Sequence, residues 1–455
     1  MTAAVRRGDV FRYESFTVDA EHGLLECRYS LDGRTFTERV TLAPGPRWNT
    51  PAAQAVARLV FLLAGVSYYK TAAPPVVDLG DTALTGLEHG FLREYYLQGL
   101  GEFAYRNSLD LQDLRITGPS PDVWPLQPPV TGSAGQAADR PRALVPFGGG
   151  IDSIVTAEHV RQRADVALFV VNRPGDRFEA IERPAAVSGL PVVRAGREID
   201  PQLLRSAELG FLNGHVPVTG ILSAIAILAA VLDDRDVVVM SNEWSASVPT
   251  LEHDGRPVNH QYSKSASFEA AFRDLLVGEP AELPGYFSML RDRTELWIAE
   301  RFAGLEQYHG SFRSCNRAFH LDKTLRLGHW CGHCDKCCFI DLILAPVMSP
   351  EALGQVFAAD GGGPEPLTNL ALAAKFRTLL GSGTKPFECV GEVNECRAAV
   401  LLAARRAGRA DCVLLQELAA EIIARPDAPT KAEIAAMRRS IGVNFIPAAY
   451  AFEGS

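Results

Sequence analysis

The sequence predicts an α/β fold with a doubly wound parallel sheet, and three observations support that prediction. From residue 142 onward, short apolar segments typical of strands covered on both faces alternate with helical patterns. The first of these segments runs directly into three glycines and a helix. Before residue 119 strand patterns precede apolar helices, and after residue 346 the patterns are helical. We therefore expect an α/β domain at 142–345 between an α+β region at 1–118, a linker at 119–141 and a helical region at 346–455.

The N-terminal region begins with strand patterns and continues with helices. Residues 11–18 and 24–30 partly alternate in polarity, and Leu31-Asp32-Gly33-Arg34 is typical of a hairpin turn that leads into a return strand at 35–42. Helical spacing of apolar residues predicts helices at 51–63 and 84–105, the second continuing through its glycines. Residues 119–141 are rich in Pro, Gly, Ser and Ala, which indicates an exposed linker.

The central domain shows strands and helices in alternation. Strands are predicted at 143–147, 166–172, 191–194 and 237–240, and helices at 151–160, 178–187 and 216–232. Strands that alternate with helices form parallel sheets, and ligands bind where the carboxyl ends of such strands meet. Residues 147–153, 172–173 and 241–244 should therefore line one crevice. The C-terminal region is expected to contain helices at 351–358, 367–380, 393–407, 413–424 and 431–441.

Composition excludes several classes of protein. The chain has 455 residues, a net charge of −9 and 47% hydrophobic residues, so it can bury a full core but lacks the basic surface that nucleic-acid binding requires. We expect no nucleic-acid partner. No uncharged apolar run approaches membrane-spanning length, and the first residues lack the apolar segment of a signal peptide. These patterns predict no membrane contact and a cytoplasmic location, where the nine cysteines would stay reduced or bind metal.

The segment from Phe147 to Ser153 predicts a phosphate-binding loop. Glycines between a strand and a helix direct backbone N–H groups, and the positive end of the helix dipole, at one point. No lysine follows as in a Walker loop, and the third glycine of a dinucleotide fingerprint would fall on Ser153. We expect Asp152 and Ser153 to cap the helix. A glycine turn without any nucleotide is the alternative.

This loop is similar to the Ser-Gly-Gly-x-Asp-Ser loop of the ATP pyrophosphatase (PP-loop) superfamily, with Gly148 in the place of the usual serine. The resemblance implies a domain of HUP-like type in which the loop grips the pyrophosphate end of ATP. Enzymes of this superfamily split ATP into AMP and pyrophosphate. The residues that would bind the nucleotide are Phe147, Gly148, Gly149, Gly150, Ile151, Asp152, Ser153 and, after the second strand of the domain, Asn172.

Four cysteines have the spacing of a metal site. Cys315 precedes Cys331-Gly332-His333-Cys334-Asp335-Lys336-Cys337 in a Cys-x15-Cys-x2-Cys-x2-Cys pattern. Four thiolates suit a tetrahedral structural Zn²⁺, because they leave no position open for substrate. Thiols without metal, an iron–sulfur cluster, and ligation by His333 or Cys338 are the alternatives.

Three further segments carry polar or aromatic residues that suit a ligand site. Residues 258–265 form a polar and aromatic loop before a helix, and Tyr68-Tyr69-Lys70 places a cation beside two rings. Cys389 precedes a C-terminal helix, where its thiol pKa would be lowered. The alternatives are a capping loop for 258–265, a surface charge for Lys70, and core packing for Cys389.

Taken together, these segments resemble the UDP-N-acetylmuramoyl-L-alanyl-L-glutamate epimerase family of peptidoglycan precursor synthesis. The resembling segments span about residues 60–400 and are 65–70, 147–153, 259–264, 331–337 and 387–391. The resemblance implies an ATP- and Mg²⁺-dependent epimerisation of the terminal L-Glu through an acyl-adenylate, with release of AMP and pyrophosphate. It also implies dependence on a ligase that adds L-Glu.

The resemblance further suggests roles for individual residues. Asp152 would bind Mg²⁺, and the N–H groups of Gly149, Gly150 and Ile151 would hold pyrophosphate. The acid–base candidates are Cys389, His260, Lys264 and Tyr262, which the sequence does not rank. The expected substrate contacts are Tyr68, Tyr69, Lys70, Asn259, Tyr262, Ser263 and Lys264.

Three other functions remain open at this point. The loop and the cysteines also resemble 7-cyano-7-deazaguanine synthase, which activates a carboxylate and adds ammonia. Members of that family are shorter, whereas here about 140 residues precede the loop and about 110 follow the cysteines. A tRNA-thiolating PP-loop enzyme is disfavoured by the acidic balance. An ATP-binding, zinc-stabilised module without turnover is the remaining alternative.

Overall fold

The computed structural model describes residues 7–119, 140–320, 322–383, 386–388 and 390–452. Its strands are β1 Val10–Asp19, β2 Leu24–Leu31, β3 Arg34–Thr41, β4 Val76–Asp78, β5 Arg115–Thr117, β6 Arg142–Pro146, β7 Asp165–Asn172, β8 Val192–Glu198, β9 Val237–Met240, β10 Leu251–His253, β11 Arg256–Val258 and β12 Gly285–Ser288.

The α-helices of the described residues follow the same order along the chain. They are α1 Pro51–Ala64, α2 Val66–Tyr69, α3 Gly86–Gly99, α4 Gly101–Asn107, α5 Ile151–Val160, α6 Glu179–Ser188, α7 Val218–Leu232, α8 Ala266–Gly278, α9 Glu295–Ala303, α10 Asp335–Leu344, α11 Pro350–Ala358, α12 Ala373–Leu379, α13 Val393–Ala403, α14 Val413–Ile423 and α15 Lys431–Ala436.

Ten of the strands form one mostly parallel sheet, in the order β12-β9-β6-β7-β8-β3-β2-β1-β4-β5. The central strands β12, β9, β6, β7 and β8 run parallel to one another, as predicted for β6, β7, β8 and β9 from their alternation with helices. β3 pairs with β8 in the antiparallel sense and joins the N-terminal hairpin strands to this central part. The regions predicted as separate, 1–118 and 142–345, therefore share a single sheet.

Helices cover both faces of the central sheet. Successive strand residues face opposite sides, so Val145 of β6 lies in one hydrophobic core and Leu144 in the other. The first core includes α5, α9, α10 and the C-terminal helices, whereas the second includes α1, α7 and α8. Burial on both faces explains the continuous apolar runs by which the strands were predicted.

The predicted hairpin is confirmed, with Asp32 and Gly33 both at positive φ (48° and 79°) between β2 and β3. The predicted helix at 84–105 is wrong in its continuity, because the backbone leaves the helical conformation at Leu100 and the segment divides into α3 and α4. A Cβ on Gly99 would lie 2.6 Å from the Pro217 ring, so this glycine permits a close approach of the loop before α7. Similarly, only Ala373–Leu379 of the predicted helix at 367–380 is α-helical.

Within the described part of the chain, the segment Pro51–Tyr69 is long and apolar enough to cross a membrane by length and composition. However, 78% of its most apolar window is buried inside the protein. α1 packs beside α7 beneath the sheet, so its apolar character is accounted for by the core.

A buried ion pair fastens the hairpin strands to the central sheet. The Arg197 Nε atom on β8 donates to Glu38 Oε1 on β3 at 2.8 Å, and the Tyr68 hydroxyl donates to Glu38 Oε2 at 3.0 Å. The Glu38 side chain has no exposed surface and that of Arg197 is 13% exposed. Each charge is therefore compensated only while its partner is present.

We predict that Glu38→Ala lowers the free energy of unfolding by about 3–5 kcal/mol, because it leaves a buried guanidinium and a buried hydroxyl without their acceptor. Urea and thermal unfolding followed by circular dichroism measure the change. Glu208→Ala is the matched control, since Glu208 pairs with Arg205 on the surface and its loss should cost about 1 kcal/mol or less. Equal effects of the two substitutions would contradict the assigned role of Glu38.

Candidate active site

The glycine loop, residues 147–150, joins β6 to α5 at the carboxyl edge of the sheet. Gly149 has φ +74°, and a Cβ at this position would lie 2.2 Å from the carbonyl oxygen of Ala180. Only glycine fits there. Gly148 is exposed with open space around it, so the backbone of the loop is accessible to a ligand.

Two apolar residues, Phe147 in the loop and Ile151 at the start of α5, anchor the loop rather than face solvent. Phe147 and Ile151 are buried in the core, and the Phe147 N–H donates to Phe169 O at 2.8 Å. α5 begins at Ile151 with Gly150 as its N-cap and with no side-chain capping bond. The prediction that Asp152 and Ser153 cap the helix is wrong, because both lie within its first turn. The N–H groups of that turn are consequently left for a ligand.

Asp152 lies at this helix start with an unsatisfied carboxylate. Its Oδ1 atom is buried and has no hydrogen-bond partner among the described residues. Burial raises the pKa of Asp152 to about 6; the positive charges of Lys336 and Lys264 lower it, and the carboxylate of Glu243 raises it. A carboxylate held in this way is suited to bind a cation.

Neighbouring strands end in similar unpaired groups. Asn172 at the end of β7 and Ser241 after β9 each have a buried side-chain oxygen without a partner among the described residues. β6 lies between β7 and β9, so these oxygens and Asp152 occupy the same edge of the sheet. The predicted crevice is therefore present, and it contains polar atoms that the protein itself does not satisfy.

Two further carboxylates, Glu243 after β9 and Glu295 at the start of α9, complete what we call the carboxylate cluster with Asp152. Burial raises the pKa of Glu295 well above its ordinary value, and the charges of Asp152 and Glu243 raise it further. Lys336 opposes this shift in Glu295 as it does in Asp152. Asp152, whose buried oxygen at the glycine loop has no partner among the described residues, fits as a ligand of a Mg²⁺ ion that carries phosphate oxygens, because Mg²⁺ is usually held by one or two carboxylates together with phosphate and water; Glu243 and Glu295 add negative charge around it.

A buried arginine orders the loops around this cluster. Arg291 donates to the backbone oxygen of Glu243 at 3.0 Å and to that of Lys264 at 2.6 Å. Its Nε atom pairs with Glu269 Oε2 at 2.8 Å, and both side chains are 1% exposed. Glu269 in turn accepts the Ser288 N–H at the end of β12. Arg291 thus fixes the backbone from which Glu243 and Lys264 extend.

A second group of titratable residues, which we call the imidazole group, consists of Glu102, His215 and His260. One ligand atom from each lies within 4.8 Å of the others. The His260 Nδ1 atom is hydrogen-bonded to Glu102 Oε2, and the two imidazole ring centroids are 4.1 Å apart. The three residues come from α4, from the loop before α7 and from the loop before α8.

Lysines border the imidazole group. The Lys70 Nζ atom donates to Asn213 Oδ1 at 2.8 Å and to Gly214 O at 3.0 Å, and so fastens the loop that carries His215. Burial lowers the pKa of Lys70 to about 8. Burial also lowers the pKa of His215 to about 4, and the charges of His260, Lys264 and Lys70 act in the same direction.

Lys264 connects the two groups of residues. Its charge acts on Asp152 at the glycine loop and on His215 in the imidazole group. The glycine loop and the imidazole group are therefore linked electrostatically through one lysine. This arrangement provides the components for a reaction that couples phosphate chemistry to proton transfer.

Comparison with known proteins identifies the family. Residues 2–289 match the model of the MurL N-terminal domain, and residues 311–433 match that of the MurL C-terminal domain. The chain belongs to the MurL family. A UDP-N-acetyl-α-D-muramoyl-L-alanyl-L-glutamate epimerase of Salinispora tropica is 39% identical over 98% of this chain and 96% of its own length.

Two further relatives bear the same name. The protein of Xanthomonas oryzae pv. oryzae is 38% identical over 87% of this chain and 86% of its own length, and that of a Micromonospora species is 38% identical over 88% of each. The predicted family and the predicted enzyme class, an isomerase, are confirmed. The matches cover the N-terminal and C-terminal regions that distinguished this chain from the shorter 7-cyano-7-deazaguanine synthases.

Several residues predicted from the MurL-like segments are packed or hydrogen-bonded within the protein. Tyr68 and Tyr69 have no exposed surface and pack in the N-terminal core, so they do not face a substrate. Asn259 donates to Ala246 O and accepts the Gln261 N–H, which stabilises a turn. Ser263 is buried, and Tyr262 packs on Phe268, where burial raises the pKa of its phenol well above the ordinary value. A phenol whose pKa is raised in this way stays protonated at neutral pH, so it is a poor base there.

Cys389, the remaining acid–base candidate of the MurL-like segments, lies outside the described residues. Its described neighbours flank the site on two sides. The Phe387 ring centroid is 6.2 Å from that of His260, and a Cβ on Gly391 would lie 3.5 Å from Glu295 Cγ. Cys389 therefore stays a sequence-based prediction.

The four cysteines predicted to bind metal come together. The sulfur atoms of Cys315, Cys331, Cys334 and Cys337 lie within 4.8 Å of one another, and the Cys334 and Cys337 N–H groups donate to the sulfurs three positions before them at 3.4 Å. Cys338 is buried in the core instead. This set fits a tetrahedral Zn²⁺. The knuckle also carries Lys336, whose charge acts on the carboxylate cluster.

The sequence motifs did not single out some residues of this MurL site, and they pointed to others only through the segments that contain them. Lys336 lies inside the quoted cysteine motif, and Glu243 lies in a segment predicted to line the crevice. Glu102, His215 and Glu295 stand in helical or loop sequence without a motif, so only the tertiary structure brings them to the site.

We predict that the purified protein binds one equivalent of Zn²⁺ and that Cys334→Ser lowers this content strongly, because three thiolates and one hydroxyl bind zinc more weakly than four thiolates. Metal analysis by mass spectrometry measures the content. Cys412→Ser is the control, since Cys412 lies outside the cluster and bonds Leu367 O. Iron with visible charge-transfer absorbance, or metal content unaffected by Cys334→Ser, would contradict a zinc knuckle.

We also predict that Asp152→Asn stabilises the ligand-free protein above neutral pH. The pKa of Asp152 is raised to about 6, so the fold favours the protonated acid and loses stability as the pH rises from the unfolded value of 3.8 through 6. The substitution should therefore add roughly 1–3 kcal/mol at pH 8 and nothing near pH 4.

Thermal unfolding at the two pH values without divalent cations measures this effect. The exposed Asp411 provides the matched control, Asp411→Asn, which should change stability little at either pH. A loss of stability in Asp152→Asn at pH 8 would show that the charged carboxylate is compensated within the protein.

Proposed function

We propose that this protein inverts the terminal L-glutamate of UDP-N-acetylmuramoyl-L-alanyl-L-glutamate in an ATP- and Mg²⁺-dependent reaction of peptidoglycan precursor synthesis. The substrate is taken from the names of relatives that align over most of the chain. The observation that carries the ATP-dependent mechanism is the glycine loop beside Asp152, whose buried Oδ1 atom has no partner among the described residues, while the charge of Lys264 acts both on Asp152 and on His215 of the imidazole group. An enzyme with both parts in one site can activate a carboxylate and exchange the adjacent proton.

The chemistry requires such coupling. The α-proton of the terminal glutamate is a poor acid, because the adjacent carboxylate carries a negative charge. Attack of an α-carboxylate oxygen on the α-phosphorus of ATP would form an acyl-adenylate, in which an uncharged acyl carbonyl replaces the carboxylate, and release pyrophosphate. The α-proton would then become acidic enough for a side chain to remove, and reprotonation on the other face followed by hydrolysis would give D-glutamate and AMP.

The phosphate half of the reaction is assigned to the glycine loop and the carboxylate cluster. The N–H groups of Gly149, Gly150 and Ile151 would hold pyrophosphate as in PP-loop enzymes. Asp152 would bind Mg²⁺, which neutralises phosphate charge when it is bound, and Glu243 and Glu295 would add negative charge around it. Asn172 and Ser241 offer further oxygen atoms at the same edge.

The acid–base half is assigned to the imidazole group and its bordering lysines. Of the acid–base candidates predicted from the sequence, we keep His260 and Lys264, and Cys389 stays a hypothesis. Lys264 and Lys70 supply positive charge where the glutamate carboxylates would bind. Zinc at the cysteine knuckle would be structural and would position Lys336 beside the carboxylate cluster. The cytoplasm, where a ligase could supply the L-Glu substrate, is the proposed location.

We predict that purified protein with ATP, Mg²⁺ and the L-Glu substrate in D₂O forms D-glutamate labelled with deuterium at the α-carbon, together with AMP and pyrophosphate. Asp152→Asn should lower pyrophosphate release at least 100-fold, because it removes a cation ligand at the reacting phosphates. Chirality analysis, mass spectrometry and a pyrophosphate assay measure these outcomes.

The control is again Asp411→Asn, which should keep full activity. Inversion without ATP would exclude the adenylate mechanism. Pyrophosphate release without inversion would favour carboxylate activation for another acceptor, for which ammonia and 7-carboxy-7-deazaguanine are the substrates to test next. If neither pyrophosphate nor D-glutamate forms, an ATP-binding module without turnover is the remaining alternative.

A further inference from the structure

The imidazole group has the composition of a metal site, but its surroundings disfavour a cation. Glu102 already accepts a hydrogen bond from His260 and forms an ion pair with Arg106 at 2.5 Å. The charges of Lys70 and Lys264 act on His215 from the other side. A divalent ion would therefore be placed among three positive side chains with one carboxylate to offset them. The same surroundings favour an anionic substrate.

We propose that His215 and His260, with Glu102 as a positioning residue, form a proton-transfer pair that serves one face of the substrate α-carbon. This inference rests on the proposed function, since it assigns a step within that reaction. In this step the Cα–H bond breaks, the proton moves to an imidazole nitrogen, and the electron pair passes to the carbonyl oxygen of the acyl-adenylate. The reverse transfer returns a proton to the same face.

The hydrogen bond between Glu102 and His260 fixes the tautomer of His260. Burial alone would raise the pKa of Glu102. The hydrogen bond from His260 and the charges of His260, His215 and Arg106 outweigh burial, so the pKa of Glu102 is lowered. An ionised carboxylate only accepts hydrogen bonds, so the Nδ1 atom of His260 carries the proton. The Nε2 atom is then the free acceptor, as in a base oriented by a carboxylate.

His215 is kept neutral by its surroundings, which suits a base. The groups that face it are Glu102 from α4, His260 and Lys264 from the segment before α8, and Lys70 after α2. Of these, only Glu102 favours the protonated imidazole. A neutral imidazole accepts a proton, whereas an imidazolium already formed cannot.

The distance between the rings determines which face they serve. Two groups on opposite faces of a planar enolate would be separated by about 7 Å, twice an ordinary van der Waals contact. The ring centroids of His215 and His260 are 4.1 Å apart, which leaves no room for a substrate between them. Both imidazoles therefore lie on the same side of the α-carbon, and the group for the other face comes from a different segment.

The test separates activation from proton transfer. The substrate with L-glutamate and its D-epimer are each incubated with ATP and Mg²⁺ in D₂O, and pyrophosphate release, α-deuterium and chirality are measured. His215→Asn should keep pyrophosphate release within threefold of the wild type and lower inversion about 10²–10⁴-fold. It should also abolish α-deuterium exchange for one epimer only, because the group on the other face is intact.

Two further variants separate catalysis from folding. His215→Ala should regain inversion when free imidazole is added, which a structural role would not explain. Glu102→Gln should lower kcat more than it raises KM, since Glu102 acts through His260. His22→Asn is the control, because His22 lies exposed in the turn between β1 and β2 and contacts Asp19.

Three results would overturn the proposal. Inversion within threefold of the wild type in His215→Asn would exclude His215 from proton transfer. Parallel loss of pyrophosphate release and inversion would assign His215 to substrate binding. Loss of a second equivalent of metal in this variant would assign a metal site. Failure of the proposed function itself is recognised differently, by the absence of pyrophosphate release in the wild-type protein.

Discussion

The buried ion pair between Arg291 and Glu269 is the interaction on which the site depends. Arg291 binds the backbone of Glu243 and of Lys264, which lie in separate loops, and Glu269 binds the backbone at the end of β12. Removing either partner would leave a charge with 1% exposure uncompensated, so the two loops and the strand are held as one unit. The backbone from which Glu243 of the carboxylate cluster and Lys264 extend is thereby fixed although neither residue lies in an α-helix or a strand.

The continuous sheet explains why the central α/β domain here needs an N-terminal region. Asp152, Glu243 and Glu295 belong to the central part of the fold, whereas Glu102 and Lys70 belong to the N-terminal part. β3 pairs with β8, and Glu38 binds Arg197 across that junction, so the two parts keep a fixed relation. In the proposed reaction the central part handles phosphate and the N-terminal part contributes to proton transfer. A shorter enzyme that only activates a carboxylate would not require the second part.

What the sequence could predict follows from the range of the interactions concerned. Strands β6, β7 and β9 were found because burial on both faces leaves a local apolar pattern, and the glycine loop was found because Gly149 must adopt a positive φ against the backbone of α6. Cys315 was found through spacing alone. Glu102 and His215 were missed because each contacts residues more than 40 positions away and carries no local pattern. The expectation that Tyr68 contacts the substrate failed for a related reason. A tyrosine beside a lysine gives the same local sequence whether the tyrosine is buried or exposed.

The two groups of residues in the site differ in charge. The carboxylate cluster is acidic and suits a cation with bound phosphate, whereas the imidazole group is bordered by Lys70, Lys264 and Arg106 and suits carboxylates. The charge of Lys264 acts on Asp152 of the first and on His215 of the second. In the proposed mechanism, a glutamate whose α-carboxylate keeps its charge resists deprotonation, and only the mixed anhydride, with an uncharged acyl carbonyl, releases its α-proton. A base that is already neutral, such as His215, can then act without first losing a proton. In this mechanism the acidity of the α-proton, which rises only after adenylation, places activation before proton transfer.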